Sequence, residues 1–182
     1  IGMIGYNDGN GHPYSYSAIF NGYNKKKLLK KCPYPIIKDY LIKQHKNKDH
    51  SPHAKLTHIW TQNKKISKNI AAISKIPNIV NSYKSLASKV DCVILARDDV
   101  KNHFHIVSFF LQKKIPIFID KQLILNKSEL LKIKKIIKKN NSLFVSGSTA
   151  RYSNELKKIK KFINIDKLLS IHSISKGNWM RY

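Results

Sequence analysis

The residues best placed to do chemistry close a short apolar run, Ile115-Pro116-Ile117-Phe118-Ile119-Asp120-Lys121-Gln122. Large apolar residues in succession suit a strand buried on both faces, as in a parallel sheet. In open α/β sheets ligands bind outside the carboxyl ends of the strands. Asp120 and Lys121 therefore stand where a lysine could hydrogen-bond a cofactor or substrate, or donate a proton. A solvated strand end would give the same two residues, so the pair has to be weighed with what surrounds it. A second candidate, Gly5-Tyr6-Asn7-Asp8-Gly9-Asn10-Gly11-His12, follows the first apolar stretch. A glycine-rich turn between a first strand and a helix lets backbone N–H groups approach a pyrophosphate. Its glycines fall at 5, 9 and 11, outside the G-x-G-x-x-G register, with Asn7 and Asn10 where that register has glycine. Asn tolerates positive φ, so the longer turn can still bind. His12 lies just past it and could face a cofactor or substrate, although a packing role with Tyr14 and Tyr16 would explain it equally well.

These residues need a scaffold, and the elements along the chain supply one. Expected strands are Ile1 to Tyr6, Leu56 to Thr61, Ile79 and Val80, Cys92 to Ala96, Pro116 to Ile119, Leu143 to Val145, and Leu168 to Ile174. Between them, helical patterns run from Tyr14 to Phe20, Lys64 to Lys75, Ser82 to Ser88, Asn102 to Lys113, Ser128 to Lys139 and Ser153 to Phe162. Such alternation implies βαβ units and a parallel sheet. Right-handed crossovers make it a doubly wound, Rossmann-type α/β fold. Residues 21–54 break the rhythm and read as an insertion after the first helix, with a short helix from Ile36 to Gln44, lying over one end of the sheet. A Rossmann domain over 1–150 and the start of a second α/β domain over 151–182 follow. The chain opens at Ile1 and shows no terminating signal before Tyr182, so a fragment of a longer protein is expected.

Composition narrows the function classes. The chain has 182 residues, 42% of them hydrophobic, which is close to globular norms. No apolar run approaches the length of about 18 residues that a membrane span needs, and a cytoplasmic setting is the default expectation. Cys32 and Cys92 offer neither a disulfide framework nor metal spacing. The histidines lack Cys or carboxylate partners at zinc spacing, so no metal is expected. The net charge of +25 invites a nucleic-acid reading. It comes, however, from 32 lysines and only 3 arginines, whereas nucleic-acid sites draw heavily on arginine. Lysines such as Lys132, Lys134, Lys135, Lys138 and Lys139 suit a solvated helix face, and no specific nucleic-acid partner is expected.

At the end of the second strand, NAD-binding folds usually place a carboxylate for the ribose hydroxyls. This chain has Thr61-Gln62-Asn63-Lys64-Lys65. Thr61 and Gln62 could bond a hydroxyl, and Lys64 or Lys65 could meet a 2′-phosphate, so NAD and NADP both stay open.

Three segments occur in a telling order: Asp91-Cys92-Val93-Ile94-Leu95-Ala96, then Asn102-His103-Phe104-His105, then Ile117-Phe118-Ile119-Asp120-Lys121. This set resembles the Gfo/Idh/MocA family, with its D-x-V-x-I-A strand, T-P-N-x-x-H turn and strand ending in E-K-P. Arg151-Tyr152 is similar to the family's R-F or R-Y at the domain junction. The resemblance implies an NAD(P)-dependent oxidoreductase acting on a sugar, cyclitol or nucleotide-sugar. It makes Lys121 the lysine near the nicotinamide and the reacting carbon, with Asp120 in place of the family's Glu. It assigns Asn102 and His105 to the turn lining the cofactor site, and Ala96 and Arg97 to the backbone passing close to the dinucleotide. Arg97 could reach a phosphate or a substrate carboxylate, or simply pair with a neighbouring Asp. The family's second domain supplies the substrate pocket and usually a catalytic His, and could carry homo-oligomer contacts. Departures are Gln122 for the proline, a longer loop through Arg97-Asp98-Asp99-Val100-Lys101, and the altered glycine turn. They leave a non-catalytic nucleotide-binding or scaffold domain as the alternative.

Overall fold

The structure is a computed structural model that describes residues 1–45, 53–148, 152–164, 167–170 and 172. Six parallel strands form one sheet: β1 (Gly2–Ile4), β2 (His58–Trp60), β3 (Asn78–Ile79), β4 (Val93–Leu95), β5 (Ile117–Asp120) and β6 (Phe144–Gly147). Their spatial order is β3-β2-β1-β4-β5-β6. The order reverses at the β1–β4 pair, where Gly2, Met3 and Ile4 align with Val93, Ile94 and Leu95. That is the crevice in which doubly wound sheets place their ligands. The expected fold class stands.

Helices cover the sheet on both sides: α1 (His12–Asn21), α2 (Lys25–Lys31), α3 (Pro35–Tyr40), α4 (Lys64–Ser74), α5 (His103–Gln112) and α6 (Lys127–Asn140). Their limits follow from local chemistry. Asn63 caps α4 by accepting from the N–H groups of Lys65 and Ile66, and Asn126 caps α6 by accepting from Ser128 and Glu129. Helix α6 ends at Asn141 in the left-handed region, a conformation Asn tolerates. Two cores result. Met3, Ile59, Ile70 and Ile73 pack with Ala18 of α1 on one face. Ile4, Leu95, Ile117 and Ile119 pack with Val107, Phe110 and Ile133 on the other. Each fully buried aliphatic side chain contributes about 1.5–3 kcal/mol. These cores fix where the strands end, and so where the site lies.

The insertion is more integrated than a cover over one end of the sheet. Leu28 of α2, Cys32 and Leu41 join the core of Met3 and Ile59, and the buried Tyr23 hydroxyl donates to Leu41 O at 2.7 Å. A π-helical turn, Leu41–His45, follows α3, and residues 46–52 lie outside those described. Among the described residues of the insertion, Tyr34 and Ile37 pack against Gly11 in the turn after β1. A Cβ at Gly11 would meet the Ile37 side chain and approach the Tyr34 ring at 3.0 Å, so only glycine fits there.

The chain divides into two compact units, Ile1–Ser148 and Thr149–Tyr182. The described part of the second unit holds α7 (Asn154–Phe162), capped by the Ser153 side chain. The strand expected at Leu168 to Ile174 is not seen at residues 168–170 or 172; the rest of that stretch, like Arg151, lies outside the described residues. Among the described residues, no helix is long and apolar enough to cross a membrane. The five lysines expected on the face of α6 are all exposed.

Candidate active site

The carboxyl ends of β1, β4 and β5 bring together residues far apart in the sequence. Asp120, the last residue of β5, is 1% exposed. Its Oδ2 pairs with His12 Nδ1, and its Oδ1 accepts from the Tyr16 hydroxyl at 3.1 Å. His12 opens α1, its backbone N–H donates to Asn10 Oδ1 at 2.8 Å, and its ring lies against Tyr16 with centroids 5.2 Å apart. The imidazole is thus fixed through one nitrogen while a third of the side chain stays exposed. Burial, and then the charge of Asp120, push the Tyr16 hydroxyl well above its ordinary range. Tyr16 therefore serves as a fixed donor to the carboxylate.

Lys121 follows in the left-handed region, at φ 75°. A residue before proline is driven toward extended backbone, so Gln122 in the following position frees Lys121 to turn this way. The turn is held from β6. Lys121 N–H donates to Gly147 O at 3.2 Å, and the Ser146 hydroxyl donates to Lys121 O at 3.0 Å.

The glycine turn is pinned from two sides. Gly5 N–H donates to Trp60 O at 3.0 Å, and Gly9 adopts φ 83°. Asn7 makes a reciprocal pair with Asp98: its amide donates to the carboxylate, and its Oδ1 accepts the Asp98 N–H at 3.0 Å. This links the turn after β1 to the loop after β4. Gln62 grips the Tyr6 backbone, accepting its N–H at 2.9 Å and donating to its carbonyl, and also accepts from Arg97 Nη1 at 3.0 Å. From the insertion, the Tyr34 hydroxyl joins that of Tyr6, which donates to Asp8 at 3.0 Å.

Several expected cofactor contacts take other roles. Thr61 is buried, and its hydroxyl is engaged by Asn63 O at 2.6 Å and by Ser67 Oγ at 2.8 Å, so it does not present itself to a ribose. Arg97 does not stand ready for a phosphate: it is 7% exposed and forks onto Asp99, with Nε to Oδ1 at 2.8 Å. The Asn102 amide also donates to Asp99. Ala96 is fully buried, its N–H bonded to Ile4 O at 2.8 Å. His105 is exposed and lines an outer groove with Tyr83, Phe109 and Lys132. The histidine turned inward is His103, fully buried, which the sequence reading passed over as one of several histidines. Helical periodicity carried the signal: His103 shares a stripe with the buried Ile106, Val107 and Phe110, whereas His105 falls with Phe109 and Gln112.

Asp99 supplies a pH-dependent brace. Burial opposes its ionisation, but hydrogen bonds from Arg97 and Asn102, with the Arg97 charge, outweigh that and hold the carboxyl below the usual range. A depressed folded value means stability that is complete above the unfolded value of about 3.9 and lost as pH falls through the folded one. Thermal melts of Asp99→Asn should therefore show a lower Tm than the parent at pH 7, with the difference shrinking below about pH 4. An equal Tm at pH 7 would contradict the brace.

A parallel sheet with this strand order and a glycine turn at its switch point defines a dinucleotide-binding domain. A family model described as "Oxidoreductase family, NAD-binding Rossmann fold" matches residues 40–148. The chain belongs to this family, the Gfo/Idh/MocA oxidoreductases, and the domain is an NAD-binding one. Among solved structures, a scyllo-inositol dehydrogenase from Lactobacillus casei with bound NAD(H) and scyllo-inositol is similar at 13% identity and TM-score 0.63, over 88% of this chain and 39% of that one. Myo-inositol 2-dehydrogenase from Lactobacillus plantarum gives 16% and 0.61 over 88% and 39%. The dehydrogenase MviM from Clostridium difficile gives 22% and 0.62 over 88% and 42%. This chain thus spans about two fifths of their length, and at such identities the likeness is one of fold. No curated protein sequence matches it significantly.

The residues present fit a dinucleotide at the turn. Asn10 is 3% exposed, and its Nδ2 is a buried donor without a partner among the described residues. A buried amide in that state is costly, and a phosphate oxygen at the start of α1 would satisfy it. Pro13 has no N–H, and that of His12 is taken by Asn10, so the side chain at position 10 gains importance. The buried amide of Asn10, unpartnered among the described residues, was not anticipated from the sequence.

Proposed function

We propose that the chain is the cofactor-binding part of an oxidoreductase that moves a hydride between a nicotinamide dinucleotide and a carbinol or carbonyl carbon of a sugar, cyclitol or nucleotide-sugar. The observation that carries this reading is the His12–Asp120 pair beside Lys121 at the end of β5, next to the glycine turn.

When bound, the nicotinamide supplies the hydride chemistry. The turn through Gly5, Asn7, Gly9 and Gly11 would hold the pyrophosphate, with Asn10 Nδ2 as its side-chain donor. Gln62 would brace the turn through the Tyr6 backbone, with Lys64 and Lys65 exposed nearby on α4. Lys121 would polarise the substrate oxygen or assist proton transfer. Asp120 acts through His12: its carboxylate fixes the ring through Nδ1. The free edge of His12 then becomes a place to hold or pass on a proton. Inositol dehydrogenases among the similar structures favour a polyhydroxylated substrate.

One observation favours the non-catalytic alternative: the Asn7–Asp98 pair bridges the crevice between β1 and β4. Titration with NADH and NADPH, followed by nicotinamide fluorescence, tests whether that bridge opens to a cofactor and so separates the enzyme from a scaffold, and substrate-dependent reduction of NAD(P) separates it from a non-catalytic nucleotide-binding domain.

A further inference from the structure

We propose that His103 is the positioning residue of the Lys121 loop. The role rests on the reading of Lys121 given above. His103 is fully buried as the first residue of α5, directly after the turn Val100–Asn102. Its Nδ1 faces Gln122 O at 2.9 Å and Leu123 O at 3.2 Å, and its Nε2 faces Arg97 O at 3.2 Å. All three partners are carbonyl oxygens, so the ring serves them as a donor, through one nitrogen when neutral and through both when protonated. Arg97 follows β4 and Gln122 follows β5, and β4 and β5 are paired in the sheet. One side chain, set by the start of a packed helix, therefore ties the two loops that flank the site.

The loop needs such a tie. Lys121 holds a backbone conformation uncommon for an L residue. On one side β6 secures it through Gly147 and Ser146. On the other, Gln122 lacks the ring by which a proline would have fixed φ. The donor from His103 to the carbonyls of residues 122 and 123 supplies that rigidity. Volume alone does not explain the residue: an apolar side chain could fill the space, but it would leave the buried Arg97 carbonyl and the part-buried carbonyls of Gln122 and Leu123 without this donor.

The two nitrogens make the inference testable by shape. An Asn amide at position 103 reaches where Nδ1 lies and keeps a donor for Gln122. A Gln amide reaches where Nε2 lies and keeps a donor for Arg97. Amide hydrogen exchange of the cofactor-free protein should show residues 120–125 exchanging at least about tenfold faster in His103→Gln and His103→Leu. They should exchange near the parent rate in His103→Asn, with β1 and β4 unchanged in all three. In turnover with a nicotinamide cofactor, kcat should fall about tenfold or more in the Gln and Leu variants. His103→Asn should restore it to within about threefold, with cofactor Kd held throughout. Unchanged exchange at 120–125 in the Leu variant would overturn the proposal. So would an Asn variant no better than Gln, a contrast that decides the matter even where Leu fails to fold. Absence of nicotinamide-dependent turnover in a protein that also carries the family's substrate domain would defeat the functional reading and with it the catalytic part of this one; the exchange pattern tests the tie separately.

Discussion

Asp120→Asn is expected to lower turnover by about 100-fold while changing the substrate KM little. The substitution keeps the volume of a side chain that is 1% exposed, and an amide oxygen can still accept from Tyr16. What it removes is the charge that faces His12 Nδ1. The ring loses the partner that orients it, and that loss falls on the chemical step. The fold should tolerate the change at a cost of about 1–2 kcal/mol, because one buried hydrogen bond is weakened. The check is steady-state kinetics beside a thermal melt. Turnover within about threefold of the parent, in a protein of normal stability, would remove the His12–Asp120 pair from the mechanism.

In a protein that also carries the family's substrate domain, Lys121→Ala should cost more, about 100- to 10,000-fold in kcat, with cofactor Kd within a few-fold of the parent. Lys121→Gly should lose as much activity but be about 1 kcal/mol more stable than the Ala variant, since only glycine is at ease with φ near 75°. The pair of variants separates the side chain's role from the backbone's. Retained kcat in both would show that the ammonium group does no work. A large rise in cofactor Kd would assign Lys121 to binding.

The Asp120–Lys121 pair was legible because its signal is local. An apolar run ends in two charges, and parallel sheets put their ligand sites there. The doubly wound parallel fold followed from the alternation of β and α patterns, and the glycine turn from its place after the first strand. Other parts were hidden for identifiable reasons. Helix α2, KKKLLKK, has too few apolar residues to show a period, and its cap at Asn24 and the burial of Leu28 reveal it only in three dimensions. Gln62 looked like a ribose contact, but its bonds run to Tyr6, 56 residues away. Arg97 could have met a phosphate or a neighbouring Asp, and only its burial against Asp99 decides for the latter. His103 and His105 are two residues apart, and motif spacing pointed to the outer one. The stripe shared with Ile106, Val107 and Phe110 distinguishes them.

The insertion also changes how the glycine turn is understood. Tyr34 and Ile37 close on Gly11, and Tyr34 joins the hydroxyl network of Tyr6 and Asp8. Burial first, and then the Tyr6 bond, raise the Tyr34 hydroxyl well above its usual range, so it remains protonated. The altered glycine spacing and the insertion therefore belong to one local design, in which a side chain from outside the nucleotide fold packs on the turn.

The most direct test of the central claim is binding of the reduced cofactor. NADH and NADPH titrated into the protein should each be followed by nicotinamide fluorescence, with Asn10→Ala beside the parent. Saturable enhancement at concentrations below about 1 mM for at least one cofactor, weakened about tenfold by Asn10→Ala, is the predicted result; tenfold corresponds to about 1.4 kcal/mol, the scale of one buried hydrogen bond. No binding of either cofactor at millimolar concentration would contradict the account and leave the bridged crevice of Asn7 and Asp98 as the mark of a scaffold.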